Sequence, residues 1–329
     1  MKKKKYIILG LAAFLAVISF FSITVGAIPV SLRELVAVAL RQPLTKTGYI
    51  LTYIRIPRVI AGIIAGLGLS TAGVIIQTVF HNPLAGPNII GVNAGAGFFV
   101  VLIFAVFPYS YALLPFAAFA GAFLTTLSIY FLGHKSGASK YAIILSDVAV
   151  NSILNSALDS IYLLNDNYLI SSKLFKIGSI SGVNIQILSI AALIIVIAFC
   201  LILLLHKQLE ILSLGDETAA SLGLPIKQYR FLFLLLASVL AGAVISFAGL
   251  ISFVGLIVPH IARILVGDEC RYLLPVSAFI GSILVVLCDT LGRTLFSPYE
   301  IPAGIFLSLL GAPFFIFLLL SHRRRSSHD

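Results

Sequence analysis

Long apolar runs alternate with short polar breaks along almost the whole chain. Most runs are about 20 residues long, the length that a helix needs to cross the hydrocarbon core of a bilayer. They predict ten spans, at roughly 6–27, 58–80, 88–107, 111–132, 141–163, 185–206, 230–250, 252–266, 273–292 and 303–320. The three longer connections, 28–57, 164–184 and 207–229, are too short to form a globular domain. The pattern therefore predicts an all-α membrane protein with about ten transmembrane helices in a single domain, 1–329.

The composition agrees with a surface that faces lipid. Of the 329 residues, 60% are hydrophobic and 10% are charged, whereas soluble domains carry roughly 25% charged residues. Basic clusters at the two ends, Lys2–Lys5 and Arg323–Arg325, contribute much of the net charge of +10. Such clusters are typical of cytoplasmic anchors, so we expect both termini in the cytoplasm and no nucleic-acid partner. The three cysteines have no paired spacing and indicate no metal site.

The first apolar run has two interpretations. Residues 1–27 resemble a signal peptide, with Val25-Gly26-Ala27 as a cleavage site. However, the apolar run of about 20 residues is longer than the roughly 7–15 residues of a signal-peptide core. We favour a first span that is retained in the membrane.

Small residues recur in the second and seventh spans. At an offset of 176, seven of the 19 positions in 65–83 are identical to those in 241–259. The offset contains five spans, an odd number, so the two halves, roughly 55–163 and 230–320, would face opposite ways in the membrane. Inverted internal repeats of this kind are common in transporters. The alternative is that two Gly-rich packing helices merely resemble each other.

Three arginines lie at predicted outer ends of spans. Arg55 and Arg58 share one face of the second span, and Arg293 lies near the end of the ninth. Guanidinium groups bind carboxylates in a planar, bidentate manner. We expect these groups to rim the outer mouth and to dock acidic residues of an external partner or an anionic solute. Alternatively, they extend to lipid headgroups.

The predicted cytoplasmic loop 206–230 contains the signals of a short helix. Asp216 is a good N-cap, while Gly223 and Pro225 supply a C′ turn and a stop. A short helix with small side chains could fit a groove in a cytoplasmic partner, although an ordinary interfacial helix would look the same. The candidate site comprises Leu214, Gly215, Asp216, Glu217, Thr218, Ala219, Ala220, Ser221, Leu222 and Gly223.

The fifth span carries four polar residues at a spacing of four, Asp147, Asn151, Asn155 and Asp159. This spacing places them on one helix face. Carboxylates within the membrane are costly and usually face a cavity or a partner, so we expect the stripe to line a translocation path. Hydrogen bonding between helices is the alternative.

Backbone breaks interrupt two apolar segments, at Asn82-Pro83 and at Pro259. Broken backbone at membrane depth requires protein or water to satisfy its polar groups, which makes these residues hinge or packing candidates. Gly62 and Gly66 form a GxxxG pair suited to close helix contact.

The sequence lacks the motifs that would make this chain an enzyme. It contains no GxxxxGK[ST] phosphate loop, no GxSxG and no HExxH. We therefore expect a transport subunit without a cofactor or metal, with any ATP hydrolysis on a separate subunit.

Several passages together resemble those of FecCD-type permeases, the membrane subunits of ABC importers for iron(III)-siderophores, haem and cobalamin. They are RIPR at 55–58, NPLAGPNIIGVNAGAG at 82–97, LGDETAASLGL at 214–224, GLISFVGLIVPHIARILVGDECRYLLP at 249–275 and DTLGRTLFSPYEIPAGIFLSLLGAPFF at 289–315. The resemblance covers nearly the whole chain.

The resemblance implies a multi-pass permease of the bacterial cytoplasmic membrane. Its partners would be a second permease, identical or related, two cytoplasmic ATPases and an extracytoplasmic binding protein. By the same resemblance, the three arginines receive acidic residues of the binding protein, 214–224 is the helix that docks on the ATPase, and the fifth and tenth spans line the path. The expected solute is an iron(III)-siderophore, with haem or cobalamin as alternatives. A proton-coupled transporter that uses Asp147 and Asp159 is a further hypothesis.

Overall fold

The fold is helical throughout the part of the chain that the structure describes. The protein is represented by a computed structural model, and the described residues are 2–26, 30, 32–40, 45–83, 85–86, 91–107, 110, 113–135, 140–163, 175–297 and 299–325. No strand occurs among them, which confirms the all-α prediction.

Ten helices coincide with the ten predicted spans. The helices are α1 Lys2–Thr24, α2 Leu32–Ala39, α3 Lys46–Val79, α4 Val92–Val106, α5 Leu114–Lys135, α6 Lys140–Leu163, α7 Ile185–Leu204, α8 His206–Ser213, α9 Asp216–Ser221, α10 Ile226–Ala248, α11 Val254–Val266, α12 Cys270–Thr294 and α13 Ala303–Arg325. Six of these, α1, α3, α5, α7, α10 and α12, are long and apolar enough to cross a membrane, whereas α4 and α11 are shorter apolar helices. The short α2, α8 and α9 lie in the predicted connections.

Helix α3 is longer than the sequence suggested. It runs without interruption for 34 residues from Lys46, so the prediction that 28–57 is a connection is wrong from residue 46 onward. Pro57 cannot donate a helical hydrogen bond, and its ring crowds the preceding turn. A single wider turn at Leu51–Arg55, closed by the Ile56 N–H donating to the Leu51 carbonyl, precedes the proline and lets the helix continue.

Close backbone contacts hold the centre of the bundle together. An added Cβ at Gly66 of α3 would lie 2.2 Å from the Gly281 carbonyl oxygen of α12, and one at Gly242 of α10 would lie 2.7 Å from the Phe119 nitrogen of α5. Gly62 faces the side chain of Val286, also on α12. These contacts need glycine because no side chain fits between the helices. The most apolar part of α3 is 83% buried and that of α1 only 11%, so α3 is central and α1 peripheral.

Both short apolar helices begin at a left-handed residue. Gly91 precedes α4 with φ 63°, and Phe253 precedes α11 with φ 68°. The Phe253 ring packs so closely on Gly311 of α13 that a Cβ there would lie 2.2 Å from it. Helices α4 and α11 are the third and eighth spans, and these two spans are equivalent under the predicted inverted repeat. The repeat itself stays a prediction. In both places a helix starts from a sharp backbone break.

The backbone groups at the predicted breaks are satisfied within the protein. Pro259 lies inside α11 and cannot bond the carbonyl four residues earlier, that of Gly255. The Gln77 amide of α3 donates to that carbonyl at 3.5 Å and to its neighbour, that of Leu256, at 3.3 Å. At the other break, the Ala85 N–H donates to the Asn82 carbonyl at 3.0 Å, which closes a turn with proline at its second position.

Candidate functional site

The three predicted arginines lie together at one end of the bundle, which we call the arginine end. Arg58 makes the strongest contacts there. Its Nε donates to both carboxylate oxygens of Asp289, at 3.0 and 2.9 Å, and its Nη1 donates to Glu300 at 2.8 Å. Asp289 belongs to α12 and is buried, whereas Glu300 precedes α13 and is half exposed. Arg58 therefore ties α3 to α12 and to the segment that follows it.

The other two arginines bind the last turn of α1. Arg55 Nη1 donates to the carbonyls of Ile23 and Thr24, each at 3.0 Å. Arg293 Nη2 donates to the Ser22 carbonyl and, at 2.8 Å, to the Ser22 hydroxyl. The last carbonyls of a helix lack helical donors and carry partial negative charge, so cations stabilise them. The two arginines thus complete the end of α1.

The three guanidinium groups are buried in the chain by itself. The exposed fractions of Arg55, Arg58 and Arg293 are only 5%, 5% and 6%. The end of α1 and the two carboxylates cover them. Sequence reasoning missed Asp289, although it precedes Arg293 by four residues in one span and a carboxylate within the membrane requires a counter-charge. Their role in docking stays a prediction.

The charged groups of the arginine end influence one another. Arg293 lies close enough to the other two arginines, to Asp289 and to Glu300 to interact with their charges. Burial by itself would raise the pKa of Glu300, but the hydrogen bond and charge of Arg58, together with the Ser181 hydroxyl, lower it overall. Glu300 is therefore held as a carboxylate.

At the opposite end of α3 lie α8 and α9, and we call this the loop end. The prediction that Asp216 caps α9 is wrong. The N-cap is Gly215 with φ 100°, which has no Cβ to strain, while Asp216 is the first helical residue and pairs with Arg230 at 2.5 Å. Its carboxylate still favours the first turn through the helix dipole.

The other end of α9 has the predicted glycine turn. The Gly223 N–H donates to the Ala220 carbonyl at 2.9 Å, and the Leu224 N–H donates to the Ala219 carbonyl at 3.0 Å. With Gly223 at φ 79°, this is a Schellman end. Leu214 and Leu222, on either side of α9, are 57% and 59% exposed. The loop end therefore presents a rigid short helix flanked by two exposed leucines.

The polar stripe of α6 divides into two parts. Asp147 is buried and accepts hydrogen bonds from Asn151 Nδ2 at 2.7 Å and from the Gly91 N–H. It therefore fixes the break before α4, while the place of the stripe on a translocation path stays a prediction. Asn155 is exposed, and Asp159, also exposed, pairs with Lys176. Of the four, Asn155 and Asp159 have the openness that a path requires.

Six helices long enough to cross a membrane, together with short apolar helices that begin at backbone breaks, resemble the discontinuous helices of transporters. The described residues contain no group of three or more His, Cys, Asp or Glu side chains that could hold a metal ion. The model of the FecCD transport family matches residues 14–321. The chain belongs to the FecCD transport family.

Relatives in this family are similar over nearly their full length. The Fe(3+)-citrate import system permease protein YfmE of Bacillus subtilis (strain 168) is 36% identical over 325 residues, which cover 98% of this chain and 97% of that protein. The hemin transport system permease protein HmuU of Yersinia pestis is 34% identical, with 96% of each chain covered. A solved metal-chelate type ABC transporter in an inward-facing conformation matches with a TM-score of 0.82 at 27% identity, over 96% of this chain and 99% of that one.

Proposed function

We propose that this chain is the permease subunit of an ATP-driven importer that moves an iron(III)-siderophore from an extracytoplasmic binding protein into a bacterial cytoplasm. The observation that carries the proposal is the match to the FecCD family over residues 14–321, together with the full-length similarity to an Fe(3+)-citrate permease. The similarity to a hemin permease favours haem as the second candidate solute, and the similarity to a cobalamin import permease makes cobalamin the third.

The complex would contain two permeases and two cytoplasmic ATPases. We assign α9 to the ATPase contact because a short helix fixed by a Schellman turn loses little freedom on docking. The exposed leucines 214 and 222 would enter an apolar groove of the ATPase. Leu222→Ser should weaken ATPase binding at least about tenfold, since burial of a leucine is worth roughly 1.5–3 kcal/mol. Leu204→Ser, at an exposed leucine just before α8, is the control, and equal binding by both variants would contradict the assignment.

The arginine end would receive an acidic residue of the binding protein. Three guanidinium groups are gathered there, and such groups bind carboxylates in a planar, bidentate manner. Arg55 is the arginine to test because Arg58 also holds two helices together through Asp289, so its replacement would disturb the fold. Arg55→Gln should weaken the binding protein's affinity about tenfold at low salt. Lys46→Gln, at an exposed lysine at the start of the same helix, should not, and equal effects would contradict specific docking.

The exposed face of α6 would line the path between two permeases. Ser152, Asn155, Ser156 and Asp159 are all exposed, and polar groups on a membrane helix require water or protein around them. Asn155→Cys should react with a membrane-impermeant thiol reagent in the assembled complex. Ile153→Cys, on a neighbouring exposed apolar position, is expected to face lipid and to be slow. Equal reactivity would place the path elsewhere.

Reconstitution decides the proposal as a whole. The permease, its ATPase and its binding protein in proteoliposomes should take up a radiolabelled iron(III)-siderophore only with internal ATP. Haem or cobalamin uptake in its place would correct the solute. Uptake by this chain alone, driven by a proton gradient, would replace the proposal with a secondary transporter. Tags at the two termini should be protected in right-side-out vesicles, because both termini are proposed to be cytoplasmic.

A further inference from the structure

Helix α3 ends at the loop end in a conformation that its sequence does not favour. The His81 N–H donates to the Thr78 carbonyl at 3.2 Å, and the Asn82 N–H donates to the Gln77 carbonyl at 3.1 Å. This is a Schellman end, in which glycine is the usual left-handed residue. Here the residue is His81, with φ 47°, a backbone conformation that is costly for a residue with a Cβ. An observed strain of this kind calls for a role of the side chain.

The His81 side chain reaches the helix that leads into α9. Its Nε2 lies 2.9 Å from the Leu212 carbonyl oxygen, near the end of α8. A carbonyl can only accept, so Nε2 carries the hydrogen in this contact. Only Leu214 and Gly215 separate the end of α8 from the start of α9. The imidazole therefore attaches the base of α9 to the end of α3.

The same end of α3 is bound to the other half of the protein. The Gln77 amide donates to the two carbonyls at the start of α11, and its oxygen accepts from Arg263 near the end of that helix. Arg263 in turn pairs with Asp268 at 3.2 Å. These groups border a cavity of about 390 Å³ that also touches His81 and the α8–α9 junction at Leu214. The His81 hydrogen bond crosses from α3 to α8 at the edge of this cavity.

Helix α3 extends from this junction to the arginine end. Its 34 residues correspond to about 50 Å at 1.5 Å per residue. Arg58 lies near its start and binds Asp289 and Glu300, while His81 follows its end. A continuous, mostly buried helix moves as one body, so the two ends of the protein are joined by a single rigid element.

We propose that His81 is the positioning residue that couples α9 to α3, so that a movement of α9 reaches the arginine end along one helix. The inference rests on the proposed function, in which the ATPase moves α9 and the binding protein contacts the arginine end. Coupling between two sites is reciprocal, so binding-protein docking would also reach α9 by this route.

The first test uses the permease alone. His81→Gly keeps the left-handed backbone without strain and removes only the ring, so the variant should fold and melt no lower than the original. Backbone hydrogen exchange at 212–221 should rise at least about tenfold, because the attachment that limits opening is lost. His206→Ala is the matched control, since among the described residues that ring bonds only the Leu203 carbonyl of its own turn. Unchanged exchange in His81→Gly would overturn the attachment.

The second test uses the full complex in proteoliposomes and measures solute imported per ATP hydrolysed. His81→Gly should lower this ratio at least about tenfold, whereas His206→Ala should keep it. A wild-type ratio in His81→Gly would overturn the coupling role and leave His81 as a simple helix cap. Failure of the wild-type complex to import any solute with ATP would instead count against the proposed function, and the exchange experiment would still decide the attachment.

Discussion

Replacing Gly66 by alanine tests whether backbone contact between α3 and α12 holds the bundle. The added Cβ would lie 2.2 Å from the Gly281 carbonyl oxygen, 2.3 Å from its carbon and 2.4 Å from the Ser282 nitrogen. All three are backbone atoms, so no side chain can rotate away. Reaching even 3.0 Å, below which such contacts essentially do not occur, requires the helices to separate by at least 0.8 Å.

The cost follows from this separation. A gap of 0.5–1 Å removes about a quarter to a half of the dispersion energy of each atom pair, which is roughly 0.1–0.2 kcal/mol at contact. With about 40 atom pairs around the crossing, as many as one buried leucine makes, the loss is about 1–4 kcal/mol, which overlaps the range for overpacking. Alanine recovers up to about 1 kcal/mol of helix propensity. We expect a net destabilisation of about 2 kcal/mol.

Equilibrium unfolding in mixed detergent micelles, with helicity as the signal, measures this difference. Gly10→Ala in α1 is the matched control, because an added Cβ there meets nothing within 4 Å and the propensity gain is the same. Gly62→Ala should lie between the two, since its nearest neighbour is a Val286 methyl at 3.0 Å that can adjust. If Gly66→Ala is as stable as Gly10→Ala, the packing argument is refuted.

Three further substitutions test the two ends. Asp289→Asn should lower the free energy of unfolding by about 3 kcal/mol, because Arg58 loses its buried charge partner. In the same unfolding assay, the double variant Arg58→Met/Asp289→Leu should lose less stability than Asp289→Asn, which is the expected sign of that pairing. Glu300→Gln should be less stable than the original protein at pH 7 but not well below pH 4. The reason is that the lowered pKa of Glu300 stabilises the fold at pH values above the ordinary glutamate pKa of about 4.3, and this stabilisation disappears as the pH falls through the lowered pKa. A stability difference between the two proteins that stays constant from pH 7 to pH 3 would count against this argument. Gly223→Ala, at φ 79° in open space, should cost about 1–2 kcal/mol of strain and weaken ATPase binding, whereas the equally strained Gly182→Ala at φ 65° should leave ATPase binding intact.

The spans could be predicted because lipid requires continuous apolar helices whatever their neighbours. Nine of the ten predicted spans begin within about four residues of the observed helices, whereas α3 starts 12 residues before the predicted 58. The predicted second span began only at 58 because Arg55, Pro57 and Arg58 interrupt the apolar run there, although the preceding residues 49–54, YILTYI, are largely apolar. The Schellman end of α9 was also readable, since Gly223 and Pro225 act on local backbone alone.

The partners of charged groups were not readable in this way. Asp289 is 231 residues from Arg58 in sequence, and no local pattern indicates that the two meet. The same holds for His81 and Leu212, 131 residues apart. The burial of the three arginines was not readable either, because burial depends on what the other helices place over each arginine.

By itself, the sequence determined the class of this protein, the positions of its apolar helices, glycines through which they pack and the family to which it belongs. These properties follow from hydrophobic length, small side chains and local backbone preferences, which are fixed residue by residue. Only the tertiary structure decided that the arginines are buried against carboxylates and helix ends, that Asp147 holds a backbone break, and that one long helix joins the two ends. Those outcomes depend on contacts between distant segments, and such contacts exist only once the helices have packed.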